Sequence, residues 1–309
     1  MTKSKADPKL LSDIRRYGGF DANGCFSCGT CTISCKISND LSTFPRRLMR
    51  YVQFGFRDEV LGSLEPWLCY YCGDCSEACP RKADPAESMM TLRRYLTAQY
   101  DWTGLSRKIY QSKVWEIGAL LTVGAIVFLL GYLVHQPGAN DWLQPILGDD
   151  LLATHPCIPL IKAFDWLVLS LVAFFVLSST IRMYWFTVGR RGLTVPIVCY
   201  VTELKTLLYH ASTQVGFRQC ADNDRRWKSH LVLASGCVLM LVLVFVFLDW
   251  FQTDQFYPIY HPQRWLGYLA TGAILFGAGD ALVGRIRRRE PMHTSSELGD
   301  WVLPVLLLL

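Results

Sequence analysis

The hydrophobic and polar positions divide the chain in two. Up to about residue 113 charged side chains interrupt every apolar stretch, whereas long uncharged runs appear only from Val114 onward. A membrane-spanning helix needs about 20 mostly apolar residues, and residues 115–134, 160–181, 231–248 and 265–283 each come close to that length. A last apolar run starts at residue 301 and stops at Leu309. It is too short for a bilayer about 30 Å thick, so either the chain is a fragment or this end merely dips into the membrane, and the beginning of a fifth span in a fragment is the expectation. The expected fold is mainly α: a helical head over residues 1–107, then a transmembrane helical bundle over residues 108–309 with about five or more spans, the last incomplete.

Two connections carry patterns of their own. In the head, Leu48, Tyr51, Val52 and Phe56 recur at helical spacing after Pro45, which predicts a short helix opened by proline. Its apolar side is expected to wall in whatever the head binds, while Arg46, Arg47 and Arg50 would equally suit an acidic partner. Between the second and third spans, Pro196 is followed by an apolar stripe at Ile197, Val201, Leu204 and Leu208, the pattern of a helix lying along a membrane surface. On a straight helix His210 projects nearly opposite that stripe.

Composition and charge agree with this division. An apolar content of 51% in 309 residues fits a membrane protein better than an all-soluble one. The net charge of +5 is modest, and the basic residues gather beside the apolar runs. Arg93, Arg94, Arg107, Lys108 and Lys113 precede the first span, the connection after the second is rich in Arg and Lys, and Arg285, Arg287, Arg288 and Arg289 follow the fourth. The other two connections offer only Lys162 and Arg264. By the positive-inside rule the head, the middle connection and the last Arg cluster belong in the cytoplasm, on a multi-pass inner-membrane protein. This distribution is a topology signal and not a nucleic-acid footprint. Residues 1–9 hold no apolar core, so no signal peptide is expected.

The most specific chemistry lies in the cysteines. Eight of twelve fall in two runs, Cys25, Cys28, Cys31, Cys35 and Cys69, Cys72, Cys75, Cys79, each spaced CxxCxxCxxxC. Three thiolates at that interval wrap one 4Fe-4S cube, and the fourth reaches towards the neighbouring cube. One cluster would then take Cys25, Cys28, Cys31 and Cys79, the other Cys69, Cys72, Cys75 and Cys35. Pro80 completes the bacterial ferredoxin run after Cys79, whereas Lys36 replaces that proline after Cys35. Zinc modules usually pair CxxC with a distant second pair and often recruit histidine, yet no histidine precedes His135. No adjacent Cys-Cys pair occurs either, so the signature of disulfide-reducing iron-sulfur subunits is missing and substrate chemistry is expected on another chain. Cys157, Cys199, Cys220 and Cys237 lack cluster spacing and read as small apolar residues.

Among the histidines, His230 is the better haem candidate, because Ala234, Cys237 and Leu241 follow it on one helical face and leave room for a flat macrocycle. An interfacial polar residue is the equally simple reading. His210 is the second candidate. His155 and His261 precede prolines and read as turn residues, and His135 and His293 have no evident partner. Asp280 is either a proton-handling group near a quinone or an interfacial residue near Arg285.

Together GGFDANGCFSCGTCTISCKIS, TFPRRLMRYVQFG, WLCYYCGDCSEACPRKADP and YDWTGLSRKIY closely resemble the C subunit of the quinone-interacting membrane-bound oxidoreductase. That family fuses a head like the C subunit of heterodisulfide reductase to a membrane cytochrome b domain like the E subunit. The resemblance implies two 4Fe-4S clusters on the eight cysteines, haem b, menaquinone as exchangeable substrate, and two cytoplasmic flavin and iron-sulfur partner subunits. It further implies electron exchange with adenylylsulfate reductase in dissimilatory sulfur metabolism. The segments HASTQVGFRQC and RRWKSHLVLASG, with His210 and His230, are what remains here of its haem-binding region. The alternatives are a related sulfite-reduction-associated complex and a membrane-anchored iron-sulfur protein without haem.

Overall fold

The computed structural model describes residues 5–39, 42–134, 157–189, 194–219, 224–251, 257–290, 293 and 299–308. His135, His155 and Cys220 lie outside them. The described residues are mainly helical, and their only β pairing is two isolated bridges, Ala6 with Phe56 and Asn39 with Ser42.

The head contains short helices because its cysteine runs and turns interrupt every periodic stretch. These are α1 (Leu10–Ile14), α2 (Thr30–Ile33), α3 (Arg46–Gln53), α4 (Arg57–Leu61), α5 (Glu65–Leu68), α6 (Asp74–Glu77) and the long α7 (Pro85–Tyr100). Pro85 opens α7, and the Asp84 carboxylate accepts the Glu87 N–H, so the helix starts with both a preset φ and a cap. Met89, Leu92, Tyr95 and Leu96 of α7 pack on Leu10, Ile14, Tyr17, Phe44 and Leu48 to make one core. The Arg57 guanidinium ties this core together, donating to Asp7, Asp13 and the Tyr95 hydroxyl, each at 2.7 Å. The helix expected after Pro45 is α3, with Leu48, Met49 and Val52 buried. It ends at Gln53, and Phe56 instead precedes α4.

Asp101 caps α8 (Leu105–Gln111) by accepting the Ser106 N–H at 2.7 Å, and the chain then bends by 116° into α9 (Lys113–Val134). The helices that follow are α10 (Cys157–Thr187), α11 (Ile197–Thr213), α12 (Val215–Gln219), α13 (Asp224–Phe245), α14 (Leu248–Phe251), α15 (Pro262–Ile286) and α16 (Gly299–Leu306). Among the described residues three helices, residues 163–187 of α10 together with α13 and α15, are long and apolar enough to cross a membrane, and the bent α8 and α9 pair makes a fourth if counted as one span. Helix α13 starts at Asp224, so His230 lies in its second turn, just before the apolar run.

The membrane helices α13 and α15 are packed through glycines. Gly277 faces Leu233 and the Ser229 carbonyl with no room for a side chain, and Gly236 sits against Ala270 and Ala273. Small residues at such a contact let helix backbones approach where lipid supplies no hydrophobic drive. The head rests on α10 through the Tyr100 and Phe186 rings, 5.5 Å apart, and through Trp102, whose indole N–H donates to Ser178 at 3.3 Å.

Candidate functional site

The two cysteine runs fold as copies of one another. Ser27 and Tyr71, each two residues after the first cysteine of a run, have left-handed φ of 57° and 53°. That conformation aims their backbone N–H groups at Cys25 and Cys69, with N to S distances of 3.4 Å. Gly29 and Gly73 follow with φ of 92°, a value that L side chains rarely adopt, and they open α2 and α6 at equivalent places. Each run thus needs its glycine to turn the chain around a small centre.

The fourth cysteine of each run lies beside the other run. Cys31 is surrounded by Cys25, Cys28 and Cys79, and its thiol is pushed up to about 11 by burial first and by those neighbours second. Cys75 is raised by burial and then by Cys69, Cys72 and Cys35. Cys35, Cys69, Cys72 and Cys75 together line one small pocket, closed by Phe44, Ile37 and Ala86. Among the described residues no three His, Cys, Asp or Glu side chains meet as donors for a single metal ion. Thiolates on separate irons of a cube surround a space and need not meet at a point. Four thiols around a partly apolar space, with backbone N–H groups on sulfur, therefore fit 4Fe-4S clusters. Bare thiolates crowded in this way would be costly, and a cluster's positive irons offset that cost.

Groups from α7 hold the second run in place. The half-buried Arg93 donates to the carbonyls of Pro66, Trp67 and Cys69, which fixes the entry to that run. Glu87, 8% exposed, accepts from the Tyr71 hydroxyl at 2.6 Å and from Arg94 at 2.9 Å. Its carboxyl stays above the usual range because burial outweighs those two donors.

The head and the membrane helices line a half-open cavity of ≈ 780 Å³. Cys69, Tyr70, Tyr71 and Arg93 line it from the head, and His210, Gln214, Phe217, His230 and His293 line it from the other side. Arg225, Arg226, Arg285 and Arg289 against Asp280 and Glu290 make its walls cationic. The volume lies in the range of cofactor sites, about 300–1,000 Å³. His230 Nδ1 is 2.7 Å from Gln214 Oε1, and in the neutral tautomer that donates from Nδ1 this contact leaves the Nε2 lone pair free. A histidine held in this way by its other nitrogen is the usual form of a metal ligand.

Several sequence expectations gain a place here. His210, expected to project opposite the apolar stripe of α11, lines the cavity. Asp280 accepts from Arg225 at 2.6 Å, Arg289 at 2.8 Å and Ser229 at 2.8 Å, which makes it an ion-paired tie between α13 and α15. His261 caps α15 through a bond from the Gln263 N–H, as a turn residue would. His293, which had no evident partner on sequence, lines the cavity where a side chain added at Gly284 would touch its ring. Gln214, Phe217 and Arg226 were not singled out from the sequence, since nothing in their spacing points to the head.

Residues 24–83 match the 4Fe-4S dicluster domain family. A protein of Archaeoglobus profundus described as like the C subunit of heterodisulfide reductase is 28% identical over 99 residues, covering 32% of this chain and 53% of that protein. The C subunit of the H(2):CoB-CoM heterodisulfide,ferredoxin reductase of Methanothermobacter thermautotrophicus is 35% identical over 80 residues, 26% of this chain and 43% of that protein. In both cases the match spans about half of the relative's length. The second iron-sulfur C subunit of the CoB--CoM heterodisulfide reductase of Methanocaldococcus jannaschii is 36% identical over 148 residues, 46% of this chain and 77% of that protein. No solved structure matches the chain.

Proposed function

We propose, for a chain that belongs to the family of heterodisulfide reductase iron-sulfur C subunits, that it is the electron-transfer subunit joining a membrane quinone pool to soluble reductase partners. The observation that carries this reading is the cavity onto which both Cys69 and His230 open. It supports a head of residues 1–107 that exchanges electrons with a cytochrome b-type membrane part of residues 108–309, the head facing the cytoplasm as its basic flanks suggest.

The neighbourhood of the thiols supports Cys25, Cys28, Cys31 and Cys79 as holders of one 4Fe-4S cluster, and Cys69, Cys72, Cys75 and Cys35 as holders of the other. His230 and His210 would hold haem b in the cavity. When bound, these groups each carry one electron at a time and supply no bond-making chemistry. The protein's own residues do the rest. The Ser27 and Tyr71 N–H groups stabilise charge on sulfur, Gln214 orients the His230 ring, and the arginines favour acidic groups at the cavity walls. Menaquinol is the proposed membrane substrate. Flavin and iron-sulfur subunits, with adenylylsulfate reductase beyond them, are the proposed partners that the resemblance implies.

The test is a reduced-minus-oxidised spectrum of the purified full chain and of its His230→Ala variant. Sharp haem bands in the parent that fall in the variant, with iron-sulfur absorbance unchanged in both, are expected. Haem bands absent from the parent would leave a membrane-anchored iron-sulfur protein, and bands unchanged in the variant would return His230 to an interfacial role.

A further inference from the structure

One stretch of aromatic and guanidinium contacts joins the second cysteine run to His230. The Tyr70 ring, between Cys69 and Cys72, meets the Phe217 ring edge-on at 5.5 Å. Phe217 in turn stacks on His230 at 4.9 Å, with 27° between the planes. The Arg226 guanidinium lies 4.9 Å from the Phe217 centroid and donates to the carbonyls of Tyr70 at 3.0 Å and Tyr71 at 3.2 Å. Glu290 of the chain beyond α15 pairs with it at 3.3 Å. The approach is so close that a methyl group on Gly216 would collide with the Tyr70 hydroxyl.

Separate elements converge here, and each contributes something different. Arg226, 18% exposed at its side chain, is a charge shared between two backbone carbonyls of the cysteine loop and the Glu290 carboxylate. Carbonyls accept from a guanidinium in a fixed planar fork, so the contact sets direction as well as distance. Phe217 has no hydrogen bond to offer. It fills the space between two rings that belong to opposite walls of the cavity.

We propose that Phe217, clamped by Arg226, is a positioning residue that holds the Tyr70–Tyr71 turn of the second cysteine run in fixed register with His230. This rests on the reading that electrons pass between the head and the cavity. Neither side chain ligates anything; each acts through the loop and the ring that it supports.

The experiment uses the full chain in detergent, with menadiol as the probe. Oxidation of one menadiol to menadione gives up two electrons and two protons, one electron for each thiol-held cluster and the protons to solvent. Bleaching of the iron-sulfur absorbance gives the rate, and dithionite gives the total reducible amount. Phe217→Leu and Arg226→Gln should slow menadiol-driven bleaching by about 10–100-fold, as loss of a group supporting a metal ligand does, and leave the dithionite total unchanged. Phe217→Tyr, which keeps the ring, should bleach at the parent's rate. Amide hydrogen exchange over residues 69–73 should quicken in the first two variants and not in the third. Parent rates and parent exchange in Phe217→Leu would overturn the joint while leaving the electron-transfer reading intact. A parent protein that menadiol does not bleach would overturn the electron-transfer reading, and the exchange measurement would still decide whether the register is held.

Discussion

Replacing Cys79 with serine removes a thiol from beside Cys31, although Cys79 is far nearer to Cys75 in sequence. The cluster that fails should therefore be the one that Cys25, Cys28 and Cys31 begin, and electron paramagnetic resonance of the reduced variant should keep the signal of the second set. Loss of the second-run signal instead would reverse the assignment. At this scale the sequence was most legible for the cysteines, because CxxC spacing is local and the turn that it demands is written in Gly29 and Gly73. Arg93 and Arg226 were not legible in the same way. Arg226 meets Tyr70 across 156 positions, and no local pattern encodes such a contact.

Helix α7 is the element on which the head is built, and its first turn is its most exacting part. The Asp84 carboxylate accepts the Glu87 N–H and the Ser76 hydroxyl, and Ser76 itself accepts the Ala86 N–H at 2.9 Å. This ties the end of the second cysteine run to the start of the helix. Asp84→Ala should lower stability by about 1–2 kcal/mol, the upper part of the range for a lost N-cap, measured as the denaturant midpoint for loss of iron-sulfur absorbance. An unchanged midpoint would mean that Ser76 alone holds the turn. The length of the apolar runs predicted the long helices, because an apolar run of about 20 residues admits few alternatives. Their ends were less legible: α13 begins at Asp224 because Asp224, Arg225 and Lys228 can be helical without being apolar. The projection of His210 opposite the apolar stripe of α11 could be read from spacing, whereas its place on the cavity wall depends on how α11 sits against α13 and the head.

For the whole molecule, the division read from hydrophobicity reappears as two kinds of surface. The head buries a core of its own, whereas the apolar span of α10 is 0% buried within the chain and leaves its side chains for lipid. What joins the two is polar and aromatic: Arg226 on the cysteine loop, Trp102 on Ser178, and the Tyr70 and Phe217 rings. The account as a whole depends on the head carrying two electron-transfer centres on a chain that stays in the membrane. The most direct test is the iron, acid-labile sulfide and zinc content per chain of the detergent-purified full-length protein, recovered from the membrane fraction. About eight irons and eight sulfides, two cubes on two thiol sets, with zinc below stoichiometry, is the predicted result. A stoichiometric zinc content without sulfide, or a chain that leaves the membrane in high salt, would contradict it.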